Sequence, residues 1–271
     1  MQLTERLAIA VEIAELAGRH IQEARQLQDF KQHYKQGSEL VTEVDIAVDR
    51  LIAERLEHHF PGEARLTEEL APERDVLTQG GPLWVIDPID GTVNFAHGLP
   101  HVAVSIAWAC NGEVQLGVVH APFLGETFTA MRGDGAFLNG ERIHASPATR
   151  LERSLIATGF PYLLDTRAPL MRRLAAVMMH CQDMRRCGSA ALDLCNVACG
   201  RLDAYYESVS PWDFAAGLLI AREAGARTGH LYPCPEDIPE ELYGEHIVAA
   251  APGIYKALEA LLIRADETPT T

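Results

Sequence analysis

Trp84 to Pro100 reads WVIDPIDGTVNFAHGLP: an apolar strand runs into two aspartates three residues apart. Pro88 biases Asp87 towards extended backbone and fixes its own φ, so the chain begins to turn where the first carboxylate sits. Asp90-Gly91 completes that turn and aims both carboxylates into one cleft, with the Ile89 carbonyl between them as a third oxygen. Gly91 lets the backbone approach a ligand closely, and the Gly91 and Thr92 N–H groups can cradle an anion beside the Thr92 hydroxyl. Carboxylates and carbonyls are hard donors that favour Mg²⁺ over zinc or copper. Asp-Pro or Asp-Gly alone would be an ordinary turn; the combined pattern is harder to explain that way.

SPWD at Ser210 to Asp213 opens an apolar helical run, FAAGLLIAREAGA. Ser210 suits the N-cap, Pro211 the first turn, and Asp213 lies beside the positive end of the helix dipole, which by itself needs no function. Thr67-Glu68-Glu69 precedes the strand bearing Asp87, and adjacent glutamates are usually a solvated face. Thr42 and Asp45 form the T-x-x-D pattern of a capping box, an equally sufficient reason for Asp45.

The remaining chain frames these segments. The apolar spacing of Leu3, Leu7, Val11, Ala14, Ala17 and Ile21 predicts a first helix to about Ala24. A polar connector, DFKQHYKQGSE, leads to a second helix from Thr42 to about His59, stopped by Pro61-Gly62. LWVID, HVAVSIAWA, EVQLGVVHA and ETFTAM then alternate with Asn-Gly and Gly-rich turns, predicting an antiparallel sheet. After about Arg150 the rhythm becomes strand then helix: SLIATG, helices near Arg167 to His180 and Ser189 to Cys199, DAYYE, a helix from Pro211, HIVAAA, and a last helix. The expectation is an α+β/α/β layered sandwich with residues 1–150 holding the antiparallel sheet and first metal motif, and residues 151–271 an α/β unit with the second. The tail RADETPTT is expected to fray.

Composition constrains partners. With 23 Lys and Arg against 38 Asp and Glu, the formal charge is −15, which repels nucleic acid and anionic membrane and leaves an anionic substrate in need of local cations. An arginine group, Arg172, Arg173, Arg185 and Arg186, reads as ordinary solvated charge. The six cysteines have no Cys-x-x-Cys spacing, so reduced thiols are expected. His58-His59 and the His97/His101 pair flanking Gly-Leu-Pro lack the companions of a zinc site. MQLTERLAIAVEIAEL does not resemble a signal peptide, and no apolar run approaches a membrane span, so a cytoplasmic protein is expected.

Asp87 to Phe95, DPIDGTVNF, together with Trp212 to Ala226, resembles the inositol monophosphatase-like superfamily of magnesium-dependent, lithium-sensitive phosphatases. The resemblance runs nearly end to end and includes VTEVD at Val41 to Asp45, Glu68-Glu69, RCGSAALDLC at Arg186 to Cys195 and DAYYE at Asp203 to Glu207. It implies the sugar-phosphatase fold, α-β-α-β-α. One metal would be held by Glu68, Asp87 and the Ile89 carbonyl and a second by Asp87, Asp90 and Asp213, with a third, weaker one on Glu68. It also implies phosphate against the Gly91 and Thr92 amides, substrate hydroxyls near Asp90, Ala190, Glu207 and Asp213, a hydrogen bond from Thr92 to Asp45, and a homodimer. Lys35 stands about one residue out of the family's register.

Departures are Thr67 for the usual glycine before the glutamates, Ala226 for the last glycine of Glu-Ala-Gly-Gly, and Ser210 where some relatives have histidine. The implied reaction is hydrolysis of a small polyol phosphate, inositol 1-phosphate first, without a covalent intermediate. Two metals about 3.5 to 4 Å apart would clamp the ester, and Glu68 and Thr92 would orient the attacking water. Histidinol phosphate, fructose 1,6-bisphosphate, NADP and nucleotide 3′,5′-bisphosphates fit the same motifs. A regulatory protein on this fold, acting through protein or RNA partners, is the reading from another class.

Overall fold

The computed structural model describes residues 2–27, 30–34, 40–71, 73–160 and 167–267. In chain order the elements are α1 (Leu3–Leu27), β1 (Gln32–Tyr34), β2 (Leu40–Thr42), α2 (Glu43–His59), β3 (Ala64–Thr67), β4 (Pro82–Asp90) and α3 (Thr92–Ala96). Then come β5 (Ala103–Cys110), β6 (Glu113–Ala121), β7 (Glu126–Met131), β8 (Gly135–Leu138), β9 (Glu141–Arg142), β10 (Leu155–Thr158), α4 (Arg167–Met178) and β11 (Asp183–Arg185). The chain finishes with α5 (Ala190–Ala198), β12 (Ala204–Glu207), α6 (Pro211–Glu223), β13 (Arg227–His230), β14 (Ile247–Ala250) and α7 (Tyr255–Glu267).

Strand alternation dictates the layering. On β4, Trp84 and Ile86 point to one core with Val44, Val48 and Ile52 of α2 and Ala10, Ile13 and Ala17 of α1. Leu83 and Val85, on the opposite face, join Leu194 of α5 and Phe214, Ala215 and Leu218 of α6. A strand covered on both faces must be apolar on both, which is why LWVI shows no polar alternation. The same α5 and α6 layer also covers Ala157, Tyr205 and Ala249 of a second sheet. That sheet's other face, Ile156, Tyr206 and Val248, packs on Val177 of α4 and Leu258 and Leu262 of α7. The order is therefore helices, seven strands, helices, five strands, helices, the layered sandwich that the sequence predicts.

The first sheet runs β3-β4-β5-β6-β7-β8-β9 and the second β11-β10-β12-β14-β13. The first is mixed instead of purely antiparallel, because β3 pairs with β4 in parallel. The connector before α2 contains an antiparallel β1–β2 pair, Gln32 opposite Thr42, where the sequence reading has only a polar link. At the other end Arg264 to Glu267 complete α7 and do not fray; Lys35 and the tail's last four residues lie outside the described residues.

Helix α2 begins as its sequence dictates. The Thr42 hydroxyl accepts from the Val44 and Asp45 N–H groups at 3.2 and 3.4 Å, and the Thr42 N–H donates to Asp45 Oδ2 at 2.8 Å. Loss of such a cap costs about 1 kcal/mol. Thr42→Ala is thus expected to lower the urea unfolding free energy by about that amount; an unchanged midpoint would show that the cap contributes nothing.

Candidate active site

On an unbroken strand, residues three apart face opposite sides, so Asp87 and Asp90 should diverge. They do not, because β4 carries a bulge. Asp87 is opposite Ser105 and Asp90 opposite Ala103, three steps on one strand against two on its neighbour. The extra residue restores the parity and turns both carboxylates into one cleft. Pro88, with no N–H to lose, sits inside the bulge, and the Ile89 N–H donates to Asp87 Oδ1 at 2.9 Å. The strand continues to Asp90, three residues beyond the end that the sequence reading assigns.

The third carboxylate comes from the middle helix layer. Asp213 lies in the first turn of α6 behind the N-cap Ser210, whose N–H donates to Asp213 Oδ2 at 2.8 Å. The Ser105 hydroxyl, beside the bulge, donates to the Trp212 carbonyl at 3.1 Å and ties this turn to the sheet. Gly117 of β6 admits α6 closely, since a Cβ there would lie 2.8 Å from the Ala216 carbonyl oxygen. One ligand oxygen from each of Asp87, Asp90 and Asp213 then falls within 4.8 Å of the others.

Electrostatics follow from that convergence. Burial first, then the charges of Glu68, Asp90 and Asp213, pushes Asp87 well above the usual carboxylate range. Burial and then Asp213 raise Asp90 to about 7, despite hydrogen bonds from the Ser189 hydroxyl (2.6 Å) and the Ala191 N–H (2.7 Å). Buried carboxylates crowded together ionise reluctantly unless a cation neutralises them. The donors are all oxygens, the set that suits a hard divalent ion such as Mg²⁺, and the site passes that test of fit.

Glu68 directly follows β3, with its N–H donating to the Ile86 carbonyl at 3.3 Å. It stands near enough to raise Asp87 but outside the group of three. Two features hold its loop. Thr67, the departure from glycine, accepts from the Leu70 and Ala71 N–H groups at 3.2 and 3.0 Å. Asp49, which the sequence reading misses, accepts from the Glu69 and Leu70 N–H groups at 3.2 and 2.9 Å. Its spacing of four from Asp45 on one helix was the available signal. The Thr92 hydroxyl lies 2.8 Å from Asp45 Oδ1 and 3.1 Å from the Ile89 carbonyl oxygen. Gly91, in the left-handed region at φ +96°, caps the short helix α3 that carries Thr92.

On the second sheet, Glu207 ends β12 and accepts from the Tyr205 hydroxyl at 2.5 Å; burial, above all, raises it to about 8. Ala190 begins α5 between the two groups that hold Asp90. Ala226 needs no glycine, because Gly225 takes the positive φ of +91°. The arginine group is not one solvated patch: Arg173 is buried against Asp266 at 2.5 Å, and Arg185 pairs with Asp183 at 2.6 Å. All six cysteines are free. His101, read from sequence as lacking companions, meets Cys187 and Asp193, with one donor atom of each within 4.8 Å of the others. Among the described residues no helix is long and apolar enough to cross a membrane.

Comparison with known proteins bears on this geometry. The profile described as Inositol monophosphatase family matches residues 2–268. The chain is 40% identical over 262 residues to the Nus factor SuhB of Escherichia coli K12, covering 94% of each chain. It is 43% identical over 188 residues to the fructose-1,6-bisphosphatase/inositol-1-monophosphatase of Thermotoga maritima, covering 69% of this chain and 70% of that protein. The structure of the extragenic suppressor protein suhB from Bartonella henselae superposes with a TM-score of 0.86 at 34% identity, over 95% of this chain and 98% of that one.

Proposed function

Because the chain belongs to the inositol monophosphatase family, we propose that it hydrolyses a small phosphate monoester with Mg²⁺, inositol 1-phosphate or a similar polyol phosphate being the favoured substrate. The observation that carries this reading is the convergence of Asp87, Asp90 and Asp213. With Glu68 and the Ile89 carbonyl, these residues would hold two or three Mg²⁺ ions. Bound Mg²⁺ supplies positive charge for the phosphoryl oxygens and acidifies water.

The chain's own groups do the rest. Asp45 fixes the Thr92 hydroxyl, and Thr92 and Glu68 orient the attacking water, with Glu68 taking up its proton. The Gly91 and Thr92 amides face the phosphate. A bond forms from the water oxygen to phosphorus as the ester P–O bond breaks, and the departing alkoxide takes a proton from water near Asp213. No protein side chain becomes phosphorylated. Release of phosphate with Mg²⁺ from inositol 1-phosphate, fructose 1,6-bisphosphate, histidinol phosphate, NADP and a nucleoside 3′,5′-bisphosphate is the test. A bisphosphate turned over far faster would replace the first choice, and release from none would remove the reading.

Glu207 is the residue proposed to accept or donate hydrogen bonds to polyol hydroxyls. A Cβ on Gly159 would lie 1.9 and 2.0 Å from its carboxylate oxygens, so Gly159→Ala must displace it. Such hydrogen bonds are worth roughly 0.5–3 kcal/mol, and kcat/KM for inositol phosphate should fall by up to about a hundredfold. p-Nitrophenyl phosphate, which has no such hydroxyls, should be spared; equal losses on both would take Glu207 out of substrate recognition.

The relatives named Nus factor SuhB favour a second reading, a regulatory protein acting through protein or RNA partners. Net charge −15 opposes direct RNA binding over most of the surface. A salt-sensitive shift of RNA by this protein, without phosphate release, would favour it over hydrolysis.

A further inference from the structure

We propose that His101, Cys187 and Asp193 form a second cation site, chemically distinct from the carboxylate cleft, that takes a thiophilic divalent metal of the zinc class. Two independent observations carry this inference. The first is convergence: the three residues come from the loop after α3, the loop after β11 and the first turn of α5, yet one donor atom of each lies within 4.8 Å of the other two. The second is unmet bonding. Asp193 is only 2% exposed, and among the described residues its Oδ1 and the His101 Nε2 are both buried without a well-formed hydrogen bond, meeting only each other as an ion pair at 3.5 Å beside the Cys187 thiol. Buried polar atoms of this kind are rarely left unsatisfied, because each forfeits its hydration with no replacement. One cation between them would satisfy both.

The donor types identify the metal class. An imidazole nitrogen, a thiol sulfur and a carboxylate oxygen, with a fourth position for water, are the ligands zinc takes and Mg²⁺ declines. On binding, the thiol proton leaves to solvent and the sulfur–metal bond replaces it. The scaffold is already fixed: Asn94 Nδ2 donates to the carbonyls of both His101 and Cys187 at 2.8 Å, so one buried amide sets the spacing of two of the ligand residues. Asp193 is placed by α5, its N–H donating to the Ser189 carbonyl at 3.0 Å. The same turn of α5 holds Asp90 through Ser189 and Ala191. A metal here would pin the loop bearing Cys187 to the helix that positions the cleft.

The test uses the reduced, full-length protein with saturating Mg²⁺, titrated with Co²⁺ and then Zn²⁺. The expected result is a thiolate-to-cobalt charge-transfer band saturating at one equivalent, abolished stoichiometrically by Zn²⁺ and untouched by excess Mg²⁺. Cys187→Ser and, as a second thiol-free variant, Cys187→Ala should lose the band while keeping Mg²⁺-dependent phosphate release and the wild-type melting temperature. The site is refuted by absence of the band, by its survival in either variant, which would assign it to one of the other five cysteines, or by its displacement with Mg²⁺. The readout is independent of catalysis, so an inactive protein on every phosphate ester would leave it standing.

Discussion

Asp87→Asn is expected to abolish magnesium-dependent phosphate release while leaving the metal-free protein at least as stable as wild type. Asp87 is 1% exposed and stands among Glu68, Asp90 and Asp213, whose charges all add to the burial that raises it. Removing a like charge from that group relieves repulsion, so folding does not suffer. Function does, because the proposed metals lose the ligand they share. The decrease should exceed the roughly 10- to 100-fold typical of an outer-sphere partner. Asp213→Asn should behave alike. The measurements are phosphate release against Mg²⁺ concentration and thermal unfolding in chelator. Variants that retain activity would dissolve the proposed metal site, and variants that unfold would give these carboxylates a structural role.

The same crowding sets a pH dependence in the metal-free protein. Asp90 rises to about 7 when folded, chiefly through burial and then Asp213, against an ordinary value near 4. The folded chain therefore holds a proton that the unfolded chain gives up. That stabilisation is complete below about pH 4 and is lost as the pH climbs through about 7. Glu207, at about 8, carries the decline about one unit further. The melting temperature in chelator should therefore fall between about pH 4 and 8, and saturating Mg²⁺ should flatten the fall.

Gly91→Ala should be the most damaging small substitution in the cleft. At φ +96° an L side chain is strained whatever surrounds it, which costs about 1–3 kcal/mol. Here the surroundings forbid relief as well. The new Cβ would lie 2.9 Å from the His101 carbonyl oxygen and 3.1 Å from that of Gly188, both backbone atoms without rotamers to retreat into. The turn must shift, moving Asp90 on one side and Thr92 on the other. Displacement by an ångström at a reacting centre costs about a hundredfold in rate. Gly98→Ala is the control, with φ +77° and no atom of the described residues within 4 Å of its Cβ: it should lose stability without losing rate. Equal effects of both substitutions would reduce the Gly91 case to conformational strain alone.

Much of this cleft could be read from residues alone, for identifiable reasons. Asp87, Asp90 and Asp213 are legible because each sits at the edge of an apolar run, the end of a strand for the first two and the start of a helix for the third. The means by which the first two share a face is not. A spacing of three implies divergence, and only the pairing with β5 reveals the inserted residue. The β1–β2 pair is invisible because QHY is exposed throughout and offers no alternation. The parallel strand β3 is absent from the sequence reading, since parallel pairing joins segments that no tight turn connects. Asp49 goes unremarked in the sequence because nothing in the pattern of α2 beyond its spacing from Asp45 marks it, yet it is wholly buried beneath the glutamate loop. His101 looked solitary because its neighbours, Cys187 and Asp193, are delivered by another sheet's connections.

The carboxylates' separate origins also govern how the protein is assembled over time. Asp87 and Asp90 belong to a sheet formed early in the chain, whereas Asp213 arrives on a helix that must wedge between two sheets, its backbone against Gly117. Neither sheet alone possesses the constellation. A divalent cation held by all three carboxylates would recognise only the completed chain, and so would retard unfolding without hastening refolding. Chelation should shorten the lifetime of the native state and leave the refolding rate where it was.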